Sequence, residues 1–389
     1  MEFTLNFEQQ MLQDSVRRYL EKSYDFETRL SVLKSRREDD GRHWQAFADS
    51  GWLAAALPED YGGLSGSVID TALIAHEFGR ALVMEPYLGC AVLAAQTLLT
   101  AASPNQLAQW MPSIAEGNRR VALAYSETQS RGLPEPIVTR AIRVQGGYAL
   151  SGRKTLVLGG GNADAFIVSA IVEEPTQTSS AQTLFLIDAE RVRSNCRSLL
   201  LHDGSWACEL ELAAVFVENA AVIGEVRQGL PALRAGLSVG MVAASSELVG
   251  VMERAIEITA EYLHIRNQFG VKIGSFQSLQ HRMADMATEL EVSRSMLYSL
   301  LAVMGEESPE LRWTTACRTK ALIARSAKWV CGQAIQLHGG IGMTEEYAVG
   351  HYFKRATVAE IVLGTSDLLD FHVSEGRALR HIPNAHSGS

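Results

Sequence analysis

Hydrophobic periodicity changes twice along this chain and does not alternate, and that pattern limits the fold more than any other feature. From Phe7 to about Gly117 apolar residues recur at helical spacing, as in Phe7, Met11, Val16 and Leu20. Breaks fall at Leu57-Pro58-Glu59-Asp60-Tyr61-Gly62-Gly63 and at Met84-Glu85-Pro86-Tyr87. Between about Arg119 and Gly224 the pattern becomes short β-rich runs: Arg120–Tyr125, Tyr148–Leu150, Ala165–Val168, Thr183–Ile187 and Glu209–Leu212. Their spacing predicts an antiparallel barrel or sandwich. After Gly229-Leu230-Pro231 the helical period returns and runs to about Leu379, with a loop at Glu306–Glu310 and a frayed tail beyond His381. Met283, Met286, Leu290, Leu297, Leu301 and Met304 keep one helix face apolar, which reads as bundle core.

The expected organisation is therefore mainly α with a central β domain: an N-terminal helical domain (1–118), a middle β domain (119–226) and a C-terminal helical bundle (227–389). Blocks of this kind exclude a doubly wound sheet. The glycine clusters Gly159-Gly160-Gly161 and His338-Gly339-Gly340-Ile341-Gly342 consequently do not open a βαβ unit, and a nicotinamide-type fingerprint is not supported. The first reads as a hairpin turn and the second as a helix-to-helix turn.

Thirty-five basic against 44 acidic side chains give a net charge of −9, with no long basic run, which argues against nucleic acid as a partner. The first residues lack a basic start followed by an apolar stretch, and no segment reads as a membrane span, so a cytoplasmic location without membrane insertion is expected. Five cysteines, at 90, 196, 208, 317 and 331, form no Cys-x-x-Cys or Cys/His cluster, so free thiols and no metal site are expected.

Two segments are more specific. Tyr262–Gly270 (Tyr-Leu-His-Ile-Arg-Asn-Gln-Phe-Gly), continuing through Ile273–His281 and Met283–Met286, resembles the acyl-CoA dehydrogenase flavoprotein family, as does Gln336–Met343 (Gln-Leu-His-Gly-Gly-Ile-Gly-Met). The order of blocks is that family's order too, so the resemblance covers nearly the whole chain. It implies the acyl-CoA dehydrogenase fold: an N-terminal helical bundle, a middle antiparallel β barrel or sandwich and a C-terminal four-helix bundle. Within the family the chain looks most like the small subunit of pimeloyl-CoA dehydrogenase and the bacterial steroid side-chain enzymes.

What the resemblance implies is FAD-dependent conversion of an acyl-CoA thioester to a trans-2-enoyl-CoA, with electrons passed to an electron-transfer flavoprotein, in a homo-oligomer or a heterotetramer with a second such chain. Arg266 offers a fork of donors to phosphate, Gln268 and Gln277 offer amides, and Phe269 an apolar face. In the family these residues, with Gln336, Gly339 and Gly340, reach the FAD of a neighbouring subunit. Tyr125 and Ser126, Thr365 and Asp367 mark further cofactor contacts. Leu363 and Gly364 mark the backbone that polarises the thioester carbonyl. The chain departs from the pattern at Tyr125–Gly132, where relatives carry Thr-Glu-Pro-Gly-Ala-Gly-Ser-Asp, and at Leu156-Val157-Leu158, where they carry Trp-Ile-Thr.

The catalytic base departs as well. Removal of the α-proton needs a carboxylate. One family position is Leu363; the other, 29 residues before Phe269, is Gly240. Glu247 follows seven residues later, about 10 Å along the same helix face. Among Ala243, Ala244, Leu248 and Val249 a carboxylate wants a reason, so Glu247 is the expected base; a buried ion pair with Arg254 or another bundle arginine is the alternative. A base moved along its helix suits dicarboxylic, branched or ring-bearing acyl groups. Two other readings stay open: a non-catalytic subunit completing a partner's FAD site, and a flavin monooxygenase on the same fold.

Overall fold

The computed structural model of the chain describes residues 4–35, 41–173 and 181–380; the expected frayed tail lies outside them. The N-terminal block is helical: α1 (Phe7–Ser23), α2 (Phe26–Ser35), α3 (Arg42–Asp49), α4 (Val68–Ala81), a π-helical stretch Tyr87–Ala94 running into α5 (Ala95–Ala101), and α6 (Pro104–Ala115). Reciprocal capping boxes start three of these helices, Asn6 with Gln9, Ser67 with Asp70 and Ser103 with Gln106. Each box satisfies orphan amides of the first turn, which is why the helices begin where they do. Val16 and Leu20 of the predicted stripe are buried, whereas Phe7 and Met11 at its start are exposed.

The middle block holds β1 (Val121–Ala124), β2 (Arg140–Val144), β3 (Gly147–Leu158), β4 (Ala165–Glu173), β5 (Gln182–Asp188), β6 (Cys196–Leu200), β7 (Trp206–Glu218) and β8 (Val222–Ile223). They form one sheet in the order β6-β7-β3-β2-β4-β5-β8, with β1 added to β4. The sheet is mixed, because β4 runs parallel to both β1 and β2. These two parallel pairings correct only the expectation that every pairing is antiparallel: alternation within a strand reports its two faces but not the direction of its neighbour. Gly160–Asn162 is a single 3-10 turn joining β3 to β4, which are not neighbours, so the hairpin expected there is absent.

The C-terminal block contains α7 (Gly229–Ile265), a short hairpin of β9 (Asn267–Gln268) and β10 (Val271–Lys272), α8 (Gln277–Met304), α9 (Pro309–His338), α10 (Ala348–Ile361) and α11 (Ser366–Arg380). The helices α7 to α10 form the bundle, and Met286, Leu290 and Leu297 fill its core as the stripe predicts. The turn Gly339–Met343 joins α9 to α10, as its glycines suggest. The helix α7 is long and apolar enough to cross a membrane by composition, but most of that length is buried inside the fold. It is apolar on nearly every face because α4, α5, α8, α9 and α10 all pack on it. Two glycines bring α4 and α7 into close contact: a Cβ on Gly79 would stand 2.0 Å from the Glu247 carbonyl, and one on Gly250 would stand 2.1 Å from that of His76. The five cysteines are free thiols.

Candidate functional site

Leu363 and Gly240 meet. A Cβ on Gly240 would lie 3.7 Å from Leu363 Cδ1 and 2.2 Å from Leu93 Cδ2, so the two base positions converge and Leu93 fills the space between helix and loop. Around this point Leu93, Leu123, Tyr125, Ser126, Leu156, Leu158 and Leu363 enclose a cavity of about 10 Å³. That is room for about one water molecule.

The walls are fixed. The Tyr125 hydroxyl donates to Gly132 O at 3.0 Å, and Thr155 N donates to Ser126 O at 2.9 Å. Just beyond Ser126, the buried Glu127 carboxylate accepts from Lys154 Nζ at 2.7 Å and from Thr139 Oγ1 at 2.6 Å. Burial pushes the Lys154 ammonium down to about 8 against the pull of Glu127. On the opposite wall Lys320 Nζ donates to Glu360 O at 3.0 Å and to Gly364 O, and Gly364 N donates to Ile361 O at 3.3 Å. The Gly364 amide is therefore engaged inside the chain. A Cβ on Gly132 would stand 2.4 Å from Gly364 N, so the two loops touch backbone to backbone. Thr365 is half-buried, with its carbonyl accepting from Leu369 N, and Asp367 points outward from the first turn of α11.

Glu247 lines an adjoining cavity that shares Gly89, Leu158 and Val362 with this enclosure. Its Oε1 accepts from Arg355 Nη1 at 2.5 Å; Arg355 Nε ion-pairs with Asp203 Oδ2 at 2.5 Å, and its Nη2 donates to Val83 O at 2.7 Å. Burial raises the Glu247 carboxyl above the usual carboxylate range, because the one guanidinium that opposes the shift is shared with Asp203. The group lines a cavity of about 80 Å³ with Phe78, Tyr87, Ala244, Val358 and Trp206. The alternative read from sequence, a buried ion pair with a bundle arginine, is present, with Arg355 of α10 as the partner; the carboxylate stands about 10 Å along α7 from the point where Gly240 and Leu363 meet. Arg254, the partner considered from sequence, binds Glu257 and Glu261 instead. Arg355 carried a signal that sequence reasoning missed: it follows Val349 and Tyr352 at steps of three, on the buried stripe of α10.

The remaining candidates gather at the far end of α7. Between β9 and β10 a two-residue turn places Phe269 (φ 53°) and Gly270 (φ 81°) in the left-handed region, and the Phe269 ring stands 90% exposed. A bulky residue held there without cover is a displayed group. Arg266, Gln268 and Gln277 are exposed beside it, and the Arg266 guanidinium makes no hydrogen bond or ion pair among the described residues. Tyr262, at the end of α7, stacks on His338, at the end of α9, with ring centroids 4.5 Å apart. That contact brings Gln336, Gly339 and Gly340 to the same end. All three are exposed, and a Cβ on either glycine would meet nothing within 4 Å. The patch is open, cationic and rich in donors.

The fold is that of a flavoprotein oxidoreductase. The acyl-CoA dehydrogenase N-terminal domain family matches residues 6–118, and the acyl-CoA dehydrogenase C-terminal domain family matches residues 227–375. The chain is 32% identical to the 2-methylacyl-CoA dehydrogenase of Solanum tuberosum, over 84% of this chain and 79% of that protein. It is similar in structure to a chain of the ChsE4-ChsE5 complex from Mycobacterium tuberculosis, with a TM-score of 0.86, 27% identity and coverage of 98% and 100%. A chain of a Tcur3481-Tcur3483 steroid ACAD variant aligns with a TM-score of 0.87 at 26% identity, covering 98% and 100%. This chain belongs to the acyl-CoA dehydrogenase family; it is an oxidoreductase polypeptide of the β-oxidation type, and its cofactor is FAD.

The two ends of an FAD fit this chain unequally. The open patch of Arg266, Gln268, Phe269, Gln277, Gln336, Gly339 and Gly340 fits a pyrophosphate and its nucleoside, with donors free and backbone unobstructed. The enclosure around Leu156, Leu158 and Leu363 does not fit an isoalloxazine ring, because it holds about 10 Å³ between walls tied by buried bonds. The two regions are also too far apart to serve one cofactor. From Gly240 to Arg266 the helix α7 advances 26 residues, about 39 Å, well beyond the span of one extended FAD.

Proposed function

We propose that this chain is the accessory half of an FAD-dependent acyl-CoA dehydrogenase built from two unlike chains. It lends its exposed nucleotide-binding patch to an FAD whose ring lies in the partner, and the partner performs the dehydrogenation and delivers electrons to an electron-transfer flavoprotein. The observation that carries this reading is the ring enclosure of about 10 Å³, closed by Leu93, Leu156, Leu158 and Leu363 and lacking a carboxylate at either base position. The structural relatives named as a ChsE4-ChsE5 complex and as Tcur3481-Tcur3483 pair two differently named chains, and that favours an unlike partner here. The expectation of a dicarboxylic, branched or ring-bearing acyl group rested on a displaced Glu247, and its anchoring on Arg355 removes that support. The choice of acyl group then rests with the partner.

Flavin stoichiometry tests the proposal. The chain expressed alone should purify without flavin, whereas the assembly formed with the acyl-CoA dehydrogenase-like chain that copurifies with it should hold one FAD per two chains. Arg266→Ala should strip that flavin. One FAD per chain in a homomer, bleached by an acyl-CoA under anaerobic conditions, would overturn the proposal.

A further inference from the structure

The helix α2 is held by one buried side chain, and that side chain is an arginine. Arg29 is 1% exposed, whereas Phe26, Leu30, Val32 and Leu33 are only half-buried. Among the described residues no helix or strand packs along α2, and it lacks the buried apolar pairs of its neighbours, Val16 with Leu20 in α1 and Trp44 with Phe47 in α3. A fork of donors takes their place. Arg29 Nε donates to Leu82 O, just past the end of α4, at 2.9 Å; Nη2 donates to Asp203 O, in the turn before β7, at 2.6 Å; and Nη1 donates to His351 Nδ1, on α10, at 3.0 Å. Three elements far apart in sequence meet on one guanidinium.

Two of those acceptors are carbonyls, which do not titrate, and the third does. A guanidinium only donates, so His351 Nδ1 accepts and carries no proton. Nε2 lies 3.0 Å from Glu345 O, which only accepts, so that nitrogen holds the proton and the tautomer is fixed from both sides. The ring is 2% exposed, with the Phe26 ring edge-on at 5.0 Å. Burial lowers its affinity for a second proton, and the charges of Arg29 and Lys354 act the same way; the Glu345 carbonyl and carboxylate act against them and are outweighed. Arg355, one turn further along α10, is balanced by Asp203 and Glu247. Arg29 itself, lowered by burial to about 10, stays charged near neutral pH. A proton added at Nδ1 would set one N–H against another inside a sealed contact.

We propose that the contact of Arg29 with His351 is a pH-sensitive latch: α2 is docked while the imidazole is neutral and is released when the ring takes a second proton. The released ring titrates near its ordinary value of ~6.5 and the docked ring lower, so docking is complete above pH ~6.5 and weakens as the pH falls below it. Through Thr28, Arg29, Val32 and Leu33, α2 forms one wall of a cavity of about 290 Å³ that Met84 and Trp206 also line. Release opens this cavity more widely to water. The latch lies within this chain and is independent of the accessory reading given above.

Hydrogen exchange of the full-length chain at pH 7.5 and 5.5, each rate divided by the intrinsic rate at that pH, reads the latch, because a helix of ten residues does not keep its hydrogen bonds in water once released. A docked ring that stays neutral while the released ring titrates raises the opening constant of α2 about tenfold over this interval. His351→Asn keeps an acceptor oxygen for Arg29 and cannot titrate, so its α2 should open equally at both pH values. Arg29→Met removes the donor, so its α2 should be open at both. An opening constant in the parent that does not move, or a rise of the same size in His351→Asn, would overturn the proposal. If His351→Asn does not fold, Arg29→Met decides: loss of the pH dependence supports the latch, and a dependence that persists without the guanidinium overturns it.

Discussion

Arg355 bridges two carboxylates, Glu247 on α7 and Asp203 in the turn before β7, while Arg29 donates to the Asp203 carbonyl at 2.6 Å. Charges buried in this way are held by one another, and removing one partner strands the rest. Arg355→Leu should therefore destabilise the chain by about 3–5 kcal/mol in urea denaturation. Glu247→Gln, which keeps a side-chain acceptor facing Arg355, should cost less, about 1–2 kcal/mol. It should leave the dehydrogenation rate of the assembled enzyme unchanged, and a loss of turnover with intact folding would reinstate Glu247 as a base. From sequence, Glu247 was legible as a carboxylate in apolar surroundings but its partner was not. Arg355 comes from a helix more than a hundred residues later, and only packing brings the two together.

At the scale of elements, the crossing of α4 and α7 depends on missing side chains. Because Gly79 and Gly250 each face a carbonyl at about 2 Å from where a Cβ would stand, neither can accept a methyl group without parting the helices. Gly79→Ala and Gly250→Ala should each cost about 1–3 kcal/mol, read as a lowered denaturation midpoint. A neutral result at either position would mean that the crossing is looser than described. Helix existence and order were legible in the chain because periods of 3.6 and 2 are local. The parallel pairing of β4 with β1 and β2 was not, since it depends on which strands meet. The closure at Leu93 and Leu363 was half legible: the motif positions showed that no base was present, but the filling of the gap by a leucine of the π-helical stretch is a tertiary fact.

Across the whole molecule, a charge network fastens the N-terminal helices to the bundle. His76 bridges Glu77 at 3.2 Å and Glu253 at 3.1 Å, while Arg17, Arg80 and Arg294 complete the web. Burial opposes ionisation of both carboxylates, but hydrogen bonds from His76 and the arginines outweigh it and hold each at about 2. Folded values below the ordinary carboxylate value mean stability that is present above pH ~4.5 and lost as the pH falls towards 2. The same ties outweigh burial at His76 and raise it, so its share is complete below pH ~6.5 and lost as the pH rises through its elevated folded value. Denaturation at pH 6 and pH 3 should thus differ by about 2 kcal/mol for Glu77 alone, and Glu77→Gln should flatten that slope.

The bare Phe269 ring on its two-residue turn also has a cost outside the assembled enzyme. A chain left without a partner over this turn would keep this apolar hook in water, beside Ile265 and Val271, inviting aggregation and proteolysis. If the chain works with an unlike partner as proposed, balanced synthesis of the two polypeptides is then a condition for the solubility of this one.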